Sequence, residues 1–412
     1  MKYPKHLIVF GNASNAFQGT RTLSTGEVIK NYAATVADIG NNITITEDIK
    51  KTYNEATIDL PAIQNEFFNT IDMKRFDVFK IYFKYFDNKE DAEAAGVDDL
   101  DLIFDGYVES TPMTESKTEG LVYNGLRLKS TAGLFYETNS PVKFFDGTIN
   151  TIMEAVQQYG VSTYFLTGLE IDPNISANWV LKVGTSNFLG EVFDNIRKSY
   201  SINIYQESDG NLRIRLPSSF SEFQNPWIMD LLTNAFEVDY GDVSQNTDSI
   251  IIVGTNCVGV AFDPITYQLK NGVLRENLVS SIVPNNRLLN PRVIVRRDLY
   301  NTEDCQRVAR ETLLEVAKNY VISVKCLYDP EIQLGDTFII NNSRKVFNTQ
   351  IWIVKSKTIN ISKDGAATLD IKGYSNCLVD FPEDILISAT GILDTDILEL
   401  TDRVVSATEL HA

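Results

Sequence analysis

Two distant stretches of the chain carry the same strand signature. Asp77-Val-Phe-Lys-Ile81 and Asp336-Thr-Phe-Ile-Ile340 both read D-x-F-x-I, the two-residue period of a half-buried strand. The resemblance continues downstream. After the first copy come IFDGYVESTP and LVYNGLRL; after the second come IWIVKSKTINIS and ATLDIKGYS. Each set reads as a strand, a strand opening on Ile, a polar turn, and a strand with a glycine near its end. The pattern predicts an α+β, β-rich chain: two similar small β-barrels flanking a mixed α/β middle region.

The second copy is entered through DPEIQLGDTFII, Asp329–Ile340. Pro330 fixes φ and Gly335 permits φ > 0, so a tight turn feeds the strand. Asp329 and Asp336 flank that turn. A cation loop needs oxygen donors at alternate positions, and Ile332 and Leu334 interrupt them here, so a structural corner is expected. Asp98-Asp-Leu-Asp101, closing the acidic loop that begins NKEDAEAAG, is the better calcium candidate, with a solvated surface loop the competing reading. Ser362-Lys-Asp-Gly365 and Ser208-Asp-Gly-Asn211 read as hairpin turns. The glycine inside Leu102–Val108, Gly106, implies a bulge or a close backbone approach.

Helical spacing is confined to the middle and to one later segment. Thr148 is a candidate N-cap for a helix bearing Ile149, Ile152, Met153 and Val156. Ser186 is a candidate N-cap for one bearing Leu189, Val192, Phe193, Ile196 and Tyr200. The clearest stripe, Cys305, Val308, Ala309, Thr312, Leu313, Val316, Ala317 and Tyr320, predicts a helix over 302–320 capped by Thr302. These patterns imply an N-terminal β domain over 1–140 and a mixed α/β domain over 141–245. A second β domain over 246–380 and a C-terminal arm over 381–412 follow.

Composition narrows the function more than the fold. Only two histidines occur, His6 and His411. A His-dependent triad or a multi-His metal site would have to be assembled from residues close to the chain ends. The four cysteines, Cys257, Cys305, Cys326 and Cys377, form no CxxC pair, and buried free thiols are expected. No GxxxxGK[ST] occurs, so no phosphate loop is supported; GNASNAFQGTR lacks its lysine. Among so many acidic residues a carboxylate pair proves nothing about glycoside hydrolysis. No enzyme activity, cofactor or metal is expected. A net charge of −18 is opposite to the basic footprint that grips nucleic acid. The segment Leu7–Phe10 is too short for a signal-peptide core, and no run of about 18 apolar residues predicts a membrane span; cytoplasmic synthesis without membrane insertion is expected.

The order of these elements resembles the bacteriophage tail baseplate hub family, which includes the late-control D proteins and the hubs of contractile tails. TYNEATIDLP (52–61), RFDVFKIYF (75–83), IFDGYVESTP (103–112), NLRIRLP (211–217), NTDSIIIVG (246–254), the helix before DPEIQLGDTFII, and IWIVKSKTINIS (351–362) carry it. The resemblance spans about residues 40 to 378. It implies a virion protein: a homotrimeric ring with two tube-like barrels per chain and a central channel. The ring's partners would be a tail tube or distal tail protein on one face, a central spike on the other, and further baseplate proteins. Genome DNA would cross without tight binding, repelled by acidic charge. Trp227 and Trp352 are the expected interface anchors, with core burial the competing role. A virion carbohydrate-binding adhesin, or a cell-wall hydrolase, is the alternative function.

Overall fold

The computed structural model describes residues 2–11, 20–22, 28–30, 32–34, 42–59, 75, 77–110, 113–116, 120–123, 125–137, 147–157, 166–176, 180–181, 188–221, 226–242, 249–262, 291–316, 318–341, 351–362 and 365–376. The protein is β-rich with few helices, as the strand signatures imply. It divides into two compact units, Met1–Asp239 with Ile322–Gly373, and Tyr240–Val321 with Tyr374–Ala412.

The first unit is built on a thirteen-stranded sheet. Its path runs Ala235–Asp242, Lys318–Leu327, Ala367–Asn376, Trp352–Ile361, Ile43–Asp48, Glu55–Ile58, Leu126–Ser130, Asp101–Ser110, Val78–Phe86, Tyr3–Gly11, Tyr32–Ala34. Thr337–Asn341 pairs with Trp352–Ile361 and, in parallel, with Trp227–Asp230. Alternation drives these strands: in Ile43–Asp48, residues 43, 45 and 47 are buried and their neighbours half-buried. Val78–Phe86 likewise turns Phe79, Ile81 and Phe83 inward. Each such side chain, fully buried, contributes roughly 1.5–3 kcal/mol.

Two irregularities shape the sheet. Ile81 pairs with Phe104 but Tyr82 with Leu102, so Ile103 is an extra residue, and consecutive Ile103 and Phe104 are both buried. Gly106 lies beside this bulge and answers the other expectation, close approach. A Cβ there would sit 2.1 Å from the carbonyl oxygen of Lys129.

Several expected elements shift. The strand expected over Leu121–Leu128 breaks at Gly125, whose φ is +154°, giving Gly120–Tyr123 in a small hairpin with Met113–Ser116 and Leu126–Ser130 in the large sheet. The polar connection after residue 109 therefore contains paired strands. The acidic loop contains a short helix, Lys89–Ala94, capped by Asn88. Thr148 caps the Ile149–Val156 helix as expected, its side chain accepting from the Thr151 amide. The Leu189–Tyr200 helix buries the predicted face, but its N-cap is Phe188 without a side-chain bond; Ser186 lies outside the described residues. The Asn203–Gln206 and Asn211–Arg215 hairpin forms as read, Gly210 taking φ +84° in its turn.

The second unit holds a three-stranded sheet. Ser249–Val253 lies between antiparallel Val258–Phe262 and parallel Pro291–Val295, with the helix Thr302–Val316 packed on it. That helix ends before the predicted 320, because Lys318–Leu327 is a strand of the long sheet. Tyr320, Val321 and Ile322 favour that state. Its cap is Asn301 rather than Thr302: the Asn301 side-chain oxygen accepts from the Asp304 amide at 2.7 Å.

The two units divide at 239/240, 321/322 and 373/374. Trp352–Ile361 pairs directly with Ile43–Asp48, so strands of both β regions share one sheet. The arm 381–412 lies outside the described residues.

Candidate functional site

The DPEIQLGD corner is a structural joint. Gly335 takes φ +86°, and a Cβ there would meet the Phe220 ring at 2.4 Å. Its amide donates to the Val354 carbonyl at 2.8 Å, and the Val354 amide donates to the Asp336 carbonyl at 2.8 Å. The Asp336 carboxylate accepts from the Gln333 amide at 2.8 Å and from the Trp227 indole at 3.1 Å. Asp329 accepts from the Glu331 amide at 3.0 Å. These bonds tie both carboxylates into the corner. Asp99 similarly accepts from the Gly96 amide at 2.9 Å in the exposed acidic loop.

The two tryptophans separate. Trp352 is only 1% exposed, enclosed in the core of its own chain. Trp227 is half-buried, tied to Asp336 and paired in register with Phe338. His6 and Cys326 are buried; His411 and Cys377 lie outside the described residues, as does most of GNASNAFQGTR.

Beneath the corner lies a feature that composition alone does not mark: a chain of buried charges. Glu47 and Lys357 stand opposite each other in adjacent strands, and Lys357 Nζ lies 3.2 Å from Glu47 Oε2. Lys357 also donates to the Ile332 carbonyl at 2.9 Å, tying the corner to the sheet. Alongside, Arg213 reaches Glu207 at 2.9 Å, Asp209 at 3.0 Å, Glu170 at 3.0 Å and the Gln333 side chain at 2.9 Å. Glu207 is 2% exposed and Arg213 7%.

The acids outnumber the bases, and the titration follows. Burial pushes the Glu47 carboxyl up, Lys357 opposing it. Burial also disfavours the Lys357 charge, but Glu47 and Glu207 outweigh it and hold the ammonium above the ordinary lysine range. The Glu207 carboxyl is pushed up to about 7, chiefly by burial, with Lys357 and Arg213 pulling down and Glu47 and Asp209 pushing up.

A second polar clamp docks the middle region on the sheet. The Gln206 side chain accepts from the Ala132 amide at 2.8 Å and donates to Thr131 at 2.7 Å. Arg197 donates to the Thr52 hydroxyl and the Ile204 carbonyl, each at 2.7 Å. Tyr136 donates to that hydroxyl or to Asp194, each 3.0 Å away. The arrangement holds segments together. Among the described residues, no group of three or more His, Cys, Asp and Glu converges as a metal site, and no helix is long and apolar enough to cross a membrane.

The outward-facing feature is apolar. Ile228, Leu232, Phe236 and Leu327 are 53%, 80%, 56% and 47% exposed. They surround the turn into Ala235–Asp242, the strand at one end of the sheet's path. The turn is held firmly: Asp230 accepts from the Leu232 amide at 2.7 Å, and Asn234 accepts from the Asp230 amide at 2.7 Å and donates to the Ile228 carbonyl at 3.0 Å. In the sequence Trp227 stands out from this stretch, and its neighbours do not. WIMDLL carries the signal, a dense apolar run leading into a turn.

No protein-family model matches the chain, and no curated protein does either. Solved structures do. The 43 kDa tail protein of prophage MuSo2 from Shewanella oneidensis superposes with TM-score 0.56 at 11% identity, over 92% of this chain and 100% of that one. The tail protein from Neisseria meningitidis MC58 gives 0.56 at 10% identity, over 90% and 96%. Prophage tail protein gp18 from Listeria monocytogenes EGD-e gives 0.52 at 11% identity, over 94% and 99%. Identities this low speak to fold. The chain has the fold of prophage tail proteins, as its resemblance to the baseplate hub family implies.

Proposed function

We propose that the chain is a non-enzymatic structural protein of a phage tail or related injection machine, the baseplate hub. In this reading three copies close into a ring that joins the sixfold tail tube to a threefold central spike. The ring lets DNA pass once the spike leaves. The strands of residues 43–130 and those of residues 318–376 would be the two ring-forming repeats, so three chains present six similar faces. The observation that carries the reading is the near end-to-end correspondence with the Shewanella prophage tail protein.

Two further features support it. The buried ion pairs weld sequence-distant segments into one body, which suits a part that bears mechanical load. The rigid apolar turn around Leu232 suits contact with a second copy of this chain. The net charge of −18 would keep DNA phosphates moving through the channel.

Light scattering after size exclusion tests the ring. A trimer has three times 46.3 kDa, about 139 kDa, and images of that species should show a central channel. A chain that stays monomeric at high micromolar concentration and in the presence of a cognate tail tube overturns the reading.

A further inference from the structure

The second unit contains two thiols in contact. Cys257 Sγ and Cys305 Sγ are 3.3 Å apart. Cys257 sits in the turn after Ser249–Val253, where the Gly254 amide donates to its carbonyl at 2.8 Å. The turn includes Asn256 at φ +63°. Cys305 sits in the first turn of the Thr302–Val316 helix and is fully buried, while Cys257 is partly exposed. Gly254 leaves room for both sulfurs: a Cβ there would lie 2.5 Å from one and 2.8 Å from the other. The helix cannot drift away, because its backbone at Cys305 and Gln306 rests on Gly259. Gln306 also pairs with both backbone groups of Val260, accepting at 3.0 Å and donating at 2.7 Å.

We propose that Cys257 and Cys305 form a redox-closable pair, converted by thiol–disulfide exchange with a low-molecular-weight disulfide into an intrachain bond that staples the helix to the sheet. Bringing the sulfurs from 3.3 Å to a bond length of about 2.05 Å asks only for a small side-chain rotation at the partly exposed partner. The order of events follows from exposure. The Cys257 thiolate attacks one sulfur of the small disulfide and expels one thiol, leaving a mixed disulfide on Cys257. Cys305 then gives up its proton and attacks Cys257 Sγ, expelling the second thiol. Two protein thiols lose two electrons and two protons, and one small disulfide becomes two small thiols. Burial, and then the neighbouring thiol, push the Cys305 thiol up to about 12, so it does not start the reaction but resolves it.

The pair is open in a reducing cytosol and closes in an oxidising medium. This holds whether or not the chain is a tail hub.

The test uses the full chain, purified with reductant, freed of it without air, and treated with oxidised glutathione. Free thiols counted in denaturant should fall from four to two. A non-reducing peptide map should show a 257–305 crosslink with no glutathione retained. Cys257→Ser, at the partly exposed position, should hold the count at three after brief treatment. Four free thiols after prolonged treatment, a stable glutathione adduct on Cys257, or a crosslink through Cys326 or Cys377 would each overturn the proposal.

Discussion

Lys357 and Glu47 face each other across an antiparallel strand pair, 3.2 Å apart, with essentially no access to water. The pair joins strands more than three hundred residues apart in sequence, so its energetics report on how the sheet is closed. Removing one partner leaves the other charged and buried, which costs about 3–5 kcal/mol. Lys357→Met should therefore destabilise the first unit by about that amount in urea unfolding. Pairing it with Glu47→Leu should restore most of the loss, because two apolar side chains of similar volume pack where two ions were desolvated. Equal destabilisation in the double variant would show that the hydrogen bond from Lys357 to Ile332, and not the ion pair, holds the corner.

Glu207 makes the fold sensitive to pH in the neutral range. Its carboxyl is raised from an ordinary value of 4.5 to about 7, so the folded chain holds a proton that the unfolded chain has released. Stability from this group is fully present below about pH 4.5 and is lost as pH rises through about 7, a change of roughly 3 kcal/mol. Glu207→Gln removes the titration and keeps an acceptor for Arg213. The variant's urea midpoint should decline less between pH 5 and 7.5 than that of the wild type, since only the raised Glu47 carboxyl remains in the cluster. Parallel profiles for the two would assign the decline to other groups.

Gly106 tests the close approach of two strands. A methyl group there would lie 2.1 Å from the Lys129 carbonyl oxygen, and backbone cannot yield as a side-chain tip can. Gly106→Ala should cost at least ~2 kcal/mol and speed amide exchange in Asp101–Ser110 and Leu126–Ser130. Gly96→Ala is the matched control, since its added Cβ meets only Asp99 at 3.8 Å.

The same residues show what a sequence can and cannot convey. Ile43, Ile45 and Glu47 share one face by simple alternation, so an inward Glu47 was legible in ITITED. Its partner was not, because register between strands so far apart depends on the closed sheet. The turns before Gly210 and Gly365 were legible, since both glycines take positive φ, which few other residues tolerate. Gly125 was visible as a glycine inside a strand, but nothing local said that the strand would stop there and change sheets. Tyr320 continues a helical stripe perfectly well, and only strand pairing removes it from the helix. Trp352, inside the strand-like IWIV, leaned toward the core more than Trp227, which follows a proline, and the folded chain buries Trp352 fully and Trp227 in part. Cys257 and Cys305, with no CxxC spacing between them, meet only once the helix lies on Gly259.

Leu232 and Phe236 test the ring without disturbing the core. Both side chains are largely in water in the single chain, so Leu232→Asp with Phe236→Asp should change the stability of the isolated chain by no more than about 0.5 kcal/mol per site. If the turn and the adjoining edge strand meet a second copy, the added carboxylates bury charge in an apolar contact, and each costs several kcal/mol there. The light-scattering mass should then fall from about three times 46.3 kDa toward a single chain. A double variant that remains trimeric places the contact elsewhere on the sheet and leaves this turn for the tube or the spike. Pull-down by the cognate tail tube protein separates those two partners: loss of capture in a trimeric double variant assigns the turn to the tube, and unchanged capture to the spike.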